Sequence, residues 1–322
     1  MTAYNVAVIG AGQIGVRHVE SMINFNFPLN IYVVDPNNMA LQKLNNFYDT
    51  VNSSSNLFTM TTIDSLPNKV DLVIISTSAD IRYSIIESVL DKKFVTYFLL
   101  EKILFQDLDE YEKVQSLLKK HQVESCWVNC PLRTFPFFKE LKSKLSDSAN
   151  FYYEAKGNQL GITCNSIHHI DLFLYLSNSY TISLNKSNLK DVVKSKRKGF
   201  YEILGTLEGR TENNSHIKIT SEENDNLPYT ILIQSDSFSC EIWPSLNKVI
   251  LPSDNKITIE TPFMNIPQSQ LTGRIVKEIL ETGKFNLPHY EFSKIIHLAL
   301  ITTFNNHFSK EFGTDVRICP IT

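Results

Sequence analysis

The chain has 322 residues, 43% of them hydrophobic and 20% charged, with a formal net charge of −3. This is globular composition, and the length suits two domains better than one core. It excludes a disordered or fibrous chain, and the near-neutral balance leaves no basic footprint for nucleic acid or an anionic membrane.

The first third alternates strand and helix signals. Tyr4–Ile9 is a short apolar run with β-branched residues, followed by a glycine loop and a helical stretch to about Asn24. Leu29–Val34 is a second such run, closed by Asp35 and Pro36, with a helix expected from Pro36 to Tyr48. Val70–Ser76 gives a third strand, Ile81–Leu90 a helix, Phe94–Leu100 a fourth strand, Leu108–His121 a helix and Glu124–Asn129 a fifth strand. Strands alternating with helices predict a parallel sheet with right-handed crossovers.

The pattern then changes. Thr134 to Leu145 reads as a helix, Asn150–Lys156 as a strand, and Ile162–Leu176 as a helix carrying two histidines. From Gly199 to Ile259 the segments FYEILGTLEG, HIKITSEE, YTILIQS, FSCEIW, KVILP and KITIE, separated by turn signals, predict an antiparallel sheet. Helices are expected over Gln268–Glu281 and Glu291–His307. The fold class read from this order is an α/β Rossmann domain followed by an α+β domain with a large, mainly antiparallel sheet. The boundary is set within Gln122–Pro131, giving domains 1–123 and 124–322.

No apolar run reaches the roughly 18 residues of a transmembrane helix. The opening MTAYNVAVIGAG lacks the basic region and cleavage site of a signal peptide, so a cytoplasmic location is expected, with no membrane or nucleic-acid partner. The five cysteines, Cys126, Cys130, Cys164, Cys240 and Cys319, are odd in number and irregular in spacing. They read as reduced core residues, neither a disulfide framework nor a metal site.

Gly10-Ala11-Gly12-Gln13-Ile14-Gly15 is a GxGxxG at a strand-to-helix junction. Gly10 permits the tight turn, Gly12 lets the backbone approach a pyrophosphate, and Gly15 lets the helix pack close to the sheet. The helix N-terminus adds free N–H groups and a positive dipole end. Asp35, 20 residues past Gly15, can accept hydrogen bonds from the adenosine ribose and would repel a 2′-phosphate, which favours NAD over NADP. Gln13 and Ile14 belong to the same loop. Ser76 and Thr77 end the third strand and face the ligand crevice by position, either as cofactor contacts or as simple turn residues.

Glu101-Lys102 ends the fourth strand, where an ammonium can stabilise a developing alkoxide; a surface lysine is the plainer alternative. His168 and Asp171 stand at i and i+3, so the carboxylate could orient the imidazole for proton transfer; a packed or capping histidine is the rival reading. Lys194-Ser195-Lys196-Arg197-Lys198 is a basic cluster, read as a solvated loop or as a clamp for a substrate carboxylate or phosphate.

Together these residues resemble the glucose–fructose oxidoreductase and inositol dehydrogenase family of NAD(P)-dependent enzymes, mostly acting on sugars and cyclitols. The likeness rests on VAVIGAGQIGVRH with His18, on Glu101-Lys102 as the start of a Glu-Lys-Pro motif, on Arg133 after the fifth strand, and on His168-x-x-Asp171. It implies Lys102 and His168 as the catalytic pair. Glu101 and Lys102 would join the cofactor contacts, and Arg133, Cys164, Asn165 and His169 would be substrate contacts, to which the clamp reading of the basic cluster adds Lys196 and Arg197. It also implies a homo-oligomer, dimer or tetramer, joined through the large sheet.

The chain departs from that pattern at several positions. Ile103 stands where proline is usual, Cys164 where an aspartate often precedes the histidine by four residues, Thr77-Ser78-Ala79 in place of a Thr-Pro-Asn stretch, and Arg82 where histidine is common. A thiol cannot replace a carboxylate's charge.

The reading is therefore an NAD-dependent oxidoreductase moving hydride to or from a secondary alcohol of a sugar or sugar derivative. The Cys-Asn-x-Ile-His run resembles a subgroup associated with bacterial surface-polysaccharide sugars. Two alternatives stay open: a dinucleotide-binding sensor or scaffold without dehydrogenase activity, and a lyase or hydrolase recycling bound NAD.

Overall fold

The computed structural model describes residues 3–145, 150–184, 188–236, 238–252 and 258–322. The chain divides into two compact units, one made of 1–105, 109–129 and 266–290, the other of 106–108, 130–265 and 291–322.

The first unit is a six-stranded parallel sheet built from β1 (Tyr4–Ile9), β2 (Leu29–Val34), β3 (Asn56–Met60), β4 (Lys69–Ile75), β5 (Phe94–Leu100) and β6 (Ser125–Val128). Its strand order is β3-β2-β1-β4-β5-β6. Val6, Ala7, Val8, Val73 and Ile74 are all fully buried. Consecutive burial means both faces of the sheet are covered, as a doubly wound sheet requires. The helices are α1 (Gln13–Ile23), α2 (Asn38–Tyr48), α3 (Ala79–Lys92), α4 (Asp109–Lys120) and, much later in the chain, α7 (Gln268–Thr282).

Two sequence expectations shift for local reasons. The second helix starts at Asn38 instead of Pro36, because the Asn37 side chain accepts hydrogen bonds from the Met39 and Ala40 N–H groups and caps it. β3 went unrecognised because NLFTM is a half-exposed edge strand without a continuous apolar run.

The second unit is built on an eight-stranded sheet. Its strands are β7 (Tyr152–Asn158), β8 (Asn188–Lys194), β9 (Tyr201–Arg210), β10 (His216–Glu222), β11 (Thr230–Gln234), β12 (Ser239–Trp243), β13 (Lys248–Pro252) and β14 (Thr258–Pro262). They run in the order β14-β13-β12-β11-β7-β10-β9-β8, all antiparallel except β7 with β10. Lys256 and Ile257, the start of the expected KITIE strand, lie outside the described residues. Burial alternates along β7, β9 and β10, so one face is packed and the other half-exposed. The helices are α5 (Pro136–Leu145), α6 (Ile162–Ser177) and α8 (from Tyr290 to Phe312). The last runs five residues past the expected His307 and stops before Gly313, whose φ is +66°.

The compact units do not follow the single cut at 123/124 read from the sequence. β6 stays in the parallel sheet, and α7 returns to the first unit because it packs tightly on α1. Gly273 makes that approach possible: a Cβ there would lie 2.4 Å from the Phe25 Cβ and 2.8 Å from the Ser21 carbonyl oxygen. The Gly273 N–H donates to the Ser21 hydroxyl at 2.9 Å. No helix among the described residues is long and apolar enough to cross a membrane.

Candidate functional site

The glycine loop between β1 and α1 has the shape expected of a phosphate cradle. Gly10 has φ +102°, and a Cβ on Gly15 would sit 1.9 Å from the Gly10 carbonyl oxygen, so neither position admits a side chain. A Cβ on Gly12 would meet nothing within 4 Å, which leaves open space at the point of closest backbone approach. Gly12 is also the N-cap of α1, with no side-chain cap and no acidic residue in the first turn. The leading N–H groups of the helix, including those following Gln13 and Ile14, are therefore available to an anion.

Asp35, at the end of β2, accepts from the Ala11 N–H through Oδ2 (2.6 Å) and from the Asn37 N–H through Oδ1 (2.8 Å). Its carboxylate is thereby fixed beside the loop, with lone pairs left for a diol. An uncapped helix start, open space over Gly12 and an anchored carboxylate fit an adenine dinucleotide.

Two expected cofactor contacts have other duties. The Ser76 hydroxyl donates to the carbonyls of Ile9 (3.0 Å) and Gly10 (2.8 Å), bracing the loop from below. Glu101 is only 4% exposed, and its Oε1 accepts from His18 Nε2 (2.9 Å) and Asn129 Nδ2 (2.5 Å). The Ser76 hydroxyl proton and the Glu101 Oε1 are thus already taken up inside the unit. Thr77, by contrast, has a buried hydroxyl without a hydrogen-bond partner among the described residues.

Around Glu101 a polar network joins four elements. His18 on α1 is fully buried, and its Nδ1 meets the Thr272 hydroxyl of α7 at 2.8 Å. Gln268, also on α7, donates to Thr272 Oγ1 (2.8 Å) and accepts from Asn129 Nδ2 (3.0 Å). Burial alone would raise the Glu101 carboxyl, but hydrogen bonding and charge from His18, the Asn129 amide and the nearby Lys102 hold it at about 2. Sequence reading missed Asn129, Gln268 and Thr272. The only trace of the first is a polar residue closing the apolar run CWVN, and the other two are an i, i+4 polar pair.

Lys102 is the second residue past β5, half-buried beyond the carboxyl end of the strand. The Lys102–Ile103 peptide is cis. Arg82 of α3, 2% exposed, donates to the carbonyls of Ile103, Leu104 (2.8 Å) and Thr77.

The second unit gathers its expected residues on α6 and the segment before α5. α6 begins at Gly161, whose φ of +80° suits glycine. The Glu202 carboxylate of β9 accepts from the Thr163 N–H at 3.0 Å, an anion set at a helix N-terminus by a different element. Cys164 turns its thiol toward the Gly161 carbonyl (3.8 Å), and Asn165 donates to the Leu160 carbonyl (2.7 Å). His168 is half-buried.

Three expectations are corrected here. Asp171 is fully buried and both its oxygens accept from Arg133, Nε to Oδ2 at 2.8 Å and Nη2 to Oδ1 at 2.7 Å. Its charge is spent on that fork and not on orienting His168. Arg133 is equally committed: it stacks over Tyr175 and Phe292, so it is an internal tie and no substrate contact. Burial pushes the Asp171 carboxyl up to about 6, against the pull of the Arg133 charge and hydrogen bonds.

His169, 2% exposed, is also no substrate contact. Its Nδ1 meets the Tyr153 hydroxyl at 2.8 Å and its Nε2 the Tyr229 hydroxyl at 3.4 Å, and burial lowers it to about 4. Lys196 and Arg197 lie on the exposed turn between β8 and β9, with Arg197 reaching the Thr322 hydroxyl at 3.4 Å, as a solvated loop would. No cluster of metal-ligating residues occurs among the described residues.

Comparison with known proteins agrees with this geometry. Residues 4–130 match the family model described as an oxidoreductase family with an NAD-binding Rossmann fold. No curated protein matches the sequence significantly. Solved structures match over nearly the whole chain. A dehydrogenase from Clostridium difficile aligns at 18% identity over 95% of this chain and 100% of its own, with a TM-score of 0.72. UDP-N-acetylglucosamine 3-dehydrogenase from Acidithiobacillus ferrooxidans aligns at 14% identity over 94% and 97%, with 0.70. A super-repressor mutant of Gal80p from Saccharomyces cerevisiae aligns at 15% identity over 98% of each chain, with 0.69. At such identities the likeness is one of fold.

Proposed function

We propose, from the match of residues 4–130 to an oxidoreductase family with an NAD-binding Rossmann fold, that the chain is an NAD-dependent dehydrogenase or reductase acting on a secondary alcohol of a sugar or sugar derivative. The observation that carries this reading is the anchored Asp35 beside an uncapped glycine-loop helix, with Lys102 following β5 at the carboxyl end of the same sheet. Bound NAD supplies the hydride acceptor at its nicotinamide.

The chain's own residues supply the rest. Gly12 and the α1 N–H groups hold the pyrophosphate, Asp35 takes the ribose hydroxyls, and the Lys102 amine polarises the substrate oxygen. His168 moves the hydroxyl proton without the carboxylate that sequence assigned to it, since Asp171 serves Arg133. The fold shared with a nucleotide-sugar dehydrogenase supports a sugar substrate. Nucleotide-linked and acidic sugars of the surface-polysaccharide type are the first to try.

A homo-oligomer belongs to the same reading. The half-exposed face of the eight-stranded sheet sets Leu232, Trp243 and Ile250 beside the Lys218–Glu154 pair, which suits a second copy of the sheet.

The test is a titration with NADH and NADPH, then a sugar panel followed at the nicotinamide absorbance. NADH is expected to bind more tightly, and Lys102→Met to abolish turnover while leaving NADH affinity within threefold. Unchanged turnover in that variant would remove Lys102 from the reaction. A second reading, a dinucleotide-binding sensor, is favoured by the diversion of Asp171 from His168, and predicts NADH binding with no hydride exchange on any sugar.

A further inference from the structure

Lys102 projects from a short loop whose backbone is held from both sides by buried charged residues. On the N-terminal side, the Glu101 N–H still donates to the Ile75 carbonyl at 3.0 Å, and its side chain is locked by His18 and Asn129. On the C-terminal side, one guanidinium holds the next two carbonyls, those of Ile103 and Leu104. The same Arg82 also donates to the Thr77 carbonyl, in the loop that follows β4. The Thr77 backbone lies against the glycine turn, since its N is 3.2 Å from a Cβ built on Gly10. Arg82 thus ties the loop bordering the dinucleotide cradle to the loop carrying the amine.

Arginine suits this task and lysine does not. A planar guanidinium presents several donors in a fixed fork, so one side chain can hold carbonyls from two loops at set directions. A cation buried to 2% exposure is costly to keep unless its donors are engaged. Its neighbours on the buried face of the helix, Ala79, Ile86, Val89 and Leu90, are apolar.

We propose that Arg82 is a positioning residue for Lys102, setting the amine relative to the bound dinucleotide by clamping the loops after β4 and β5 together. This rests on the dehydrogenase reading above, in which Lys102 works beside the nicotinamide.

The test needs no substrate. Lysine amines of the full-length protein are labelled with acetic anhydride, with and without saturating NADH, and the Lys102 peptide is quantified by mass spectrometry against exposed Lys43 and Lys119. NADH is expected to shield Lys102 at least fivefold in the wild type. In Arg82→Lys and Arg82→Gln, NADH affinity measured by nicotinamide fluorescence stays within threefold, while the shielding falls below twofold. Added guanidinium at millimolar concentration restores part of the shielding in Arg82→Ala.

A role confined to stability would lower the melting temperature and leave the shielding intact wherever NADH still binds. That result in Arg82→Lys and Arg82→Gln overturns the proposal. Absence of NADH binding in the wild type overturns instead the dinucleotide reading on which it stands, so the two failures are told apart.

Discussion

In the first unit a fully buried histidine, His18, faces a carboxylate, whereas in the second a nearly buried histidine, His169, faces two phenols. The burial is alike and the electrostatic outcome differs. Glu101 stays ionised, at about 2, because an imidazole N–H and an amide N–H both point at it. His169 stays neutral, at about 4, because neither Tyr153 nor Tyr229 offers a charge to offset desolvation. In each unit partner chemistry, not depth, decides whether a buried group carries charge. The first unit spends its ionised carboxylate next to Lys102, while the second spends Asp171 internally on Arg133.

The comparison breaks most severely when a countercharge is removed. Arg133→Ala strands the Asp171 carboxylate and is expected to cost about 3–5 kcal/mol of stability in urea unfolding. Glu101→Ala, which leaves two donors of the first unit unsatisfied, belongs in the same range.

Acid sharpens the comparison next. His169 has a folded value below its ordinary 6.5, so the unfolded chain binds its proton more readily, and stability is lost as pH falls from 6.5 toward 4. The loss reaches on the order of 3 kcal/mol. Glu101 is also held below its ordinary value, and its contribution disappears only between pH 4.5 and 2. Asp171 runs the other way between 3.8 and about 6, because its folded value is raised. The wild-type minus His169→Gln difference in unfolding free energy cancels that opposing contribution, and it should grow smaller across the His169 window as pH falls. A flat difference would mean that His169 does not stay neutral when folded.

His169→Phe at pH 7 comes third, leaving the Tyr153 hydroxyl buried without its partner at about 1–3 kcal/mol. Smallest is Lys196→Ala on the exposed turn, within roughly 0.5 kcal/mol by thermal unfolding. A large effect there would give the exposed turn a structural role that its burial and contacts do not indicate.

The strands whose apolar runs are buried on both faces were legible with their bounds: β1, β2 and β5 match residue for residue. Two of the four edge strands were not. NLFTM and NLKDVVK pack little of their surface, so hydrophobic patterning barely marks them. The same contrast holds for the site. GxGxxG and Asp35 were legible because their work is done by backbone conformation and by a fixed sequence offset within one βαβ unit.

What the sequence by itself determined is the class of both units, the glycine cradle and the placement of Lys102 at a strand end, all properties of local order along the chain. Only tertiary structure decided which polar groups were already taken. Ser76 braces the loop, Glu101 is held by His18 and Asn129, Asp171 belongs to Arg133, His169 to Tyr153, and Arg82 to three carbonyls. It also returned α7 to the first unit, across more than a hundred residues of intervening chain. The reason is physical: a buried polar group must find its partner wherever packing brings one, and sequence separation carries no information about that choice.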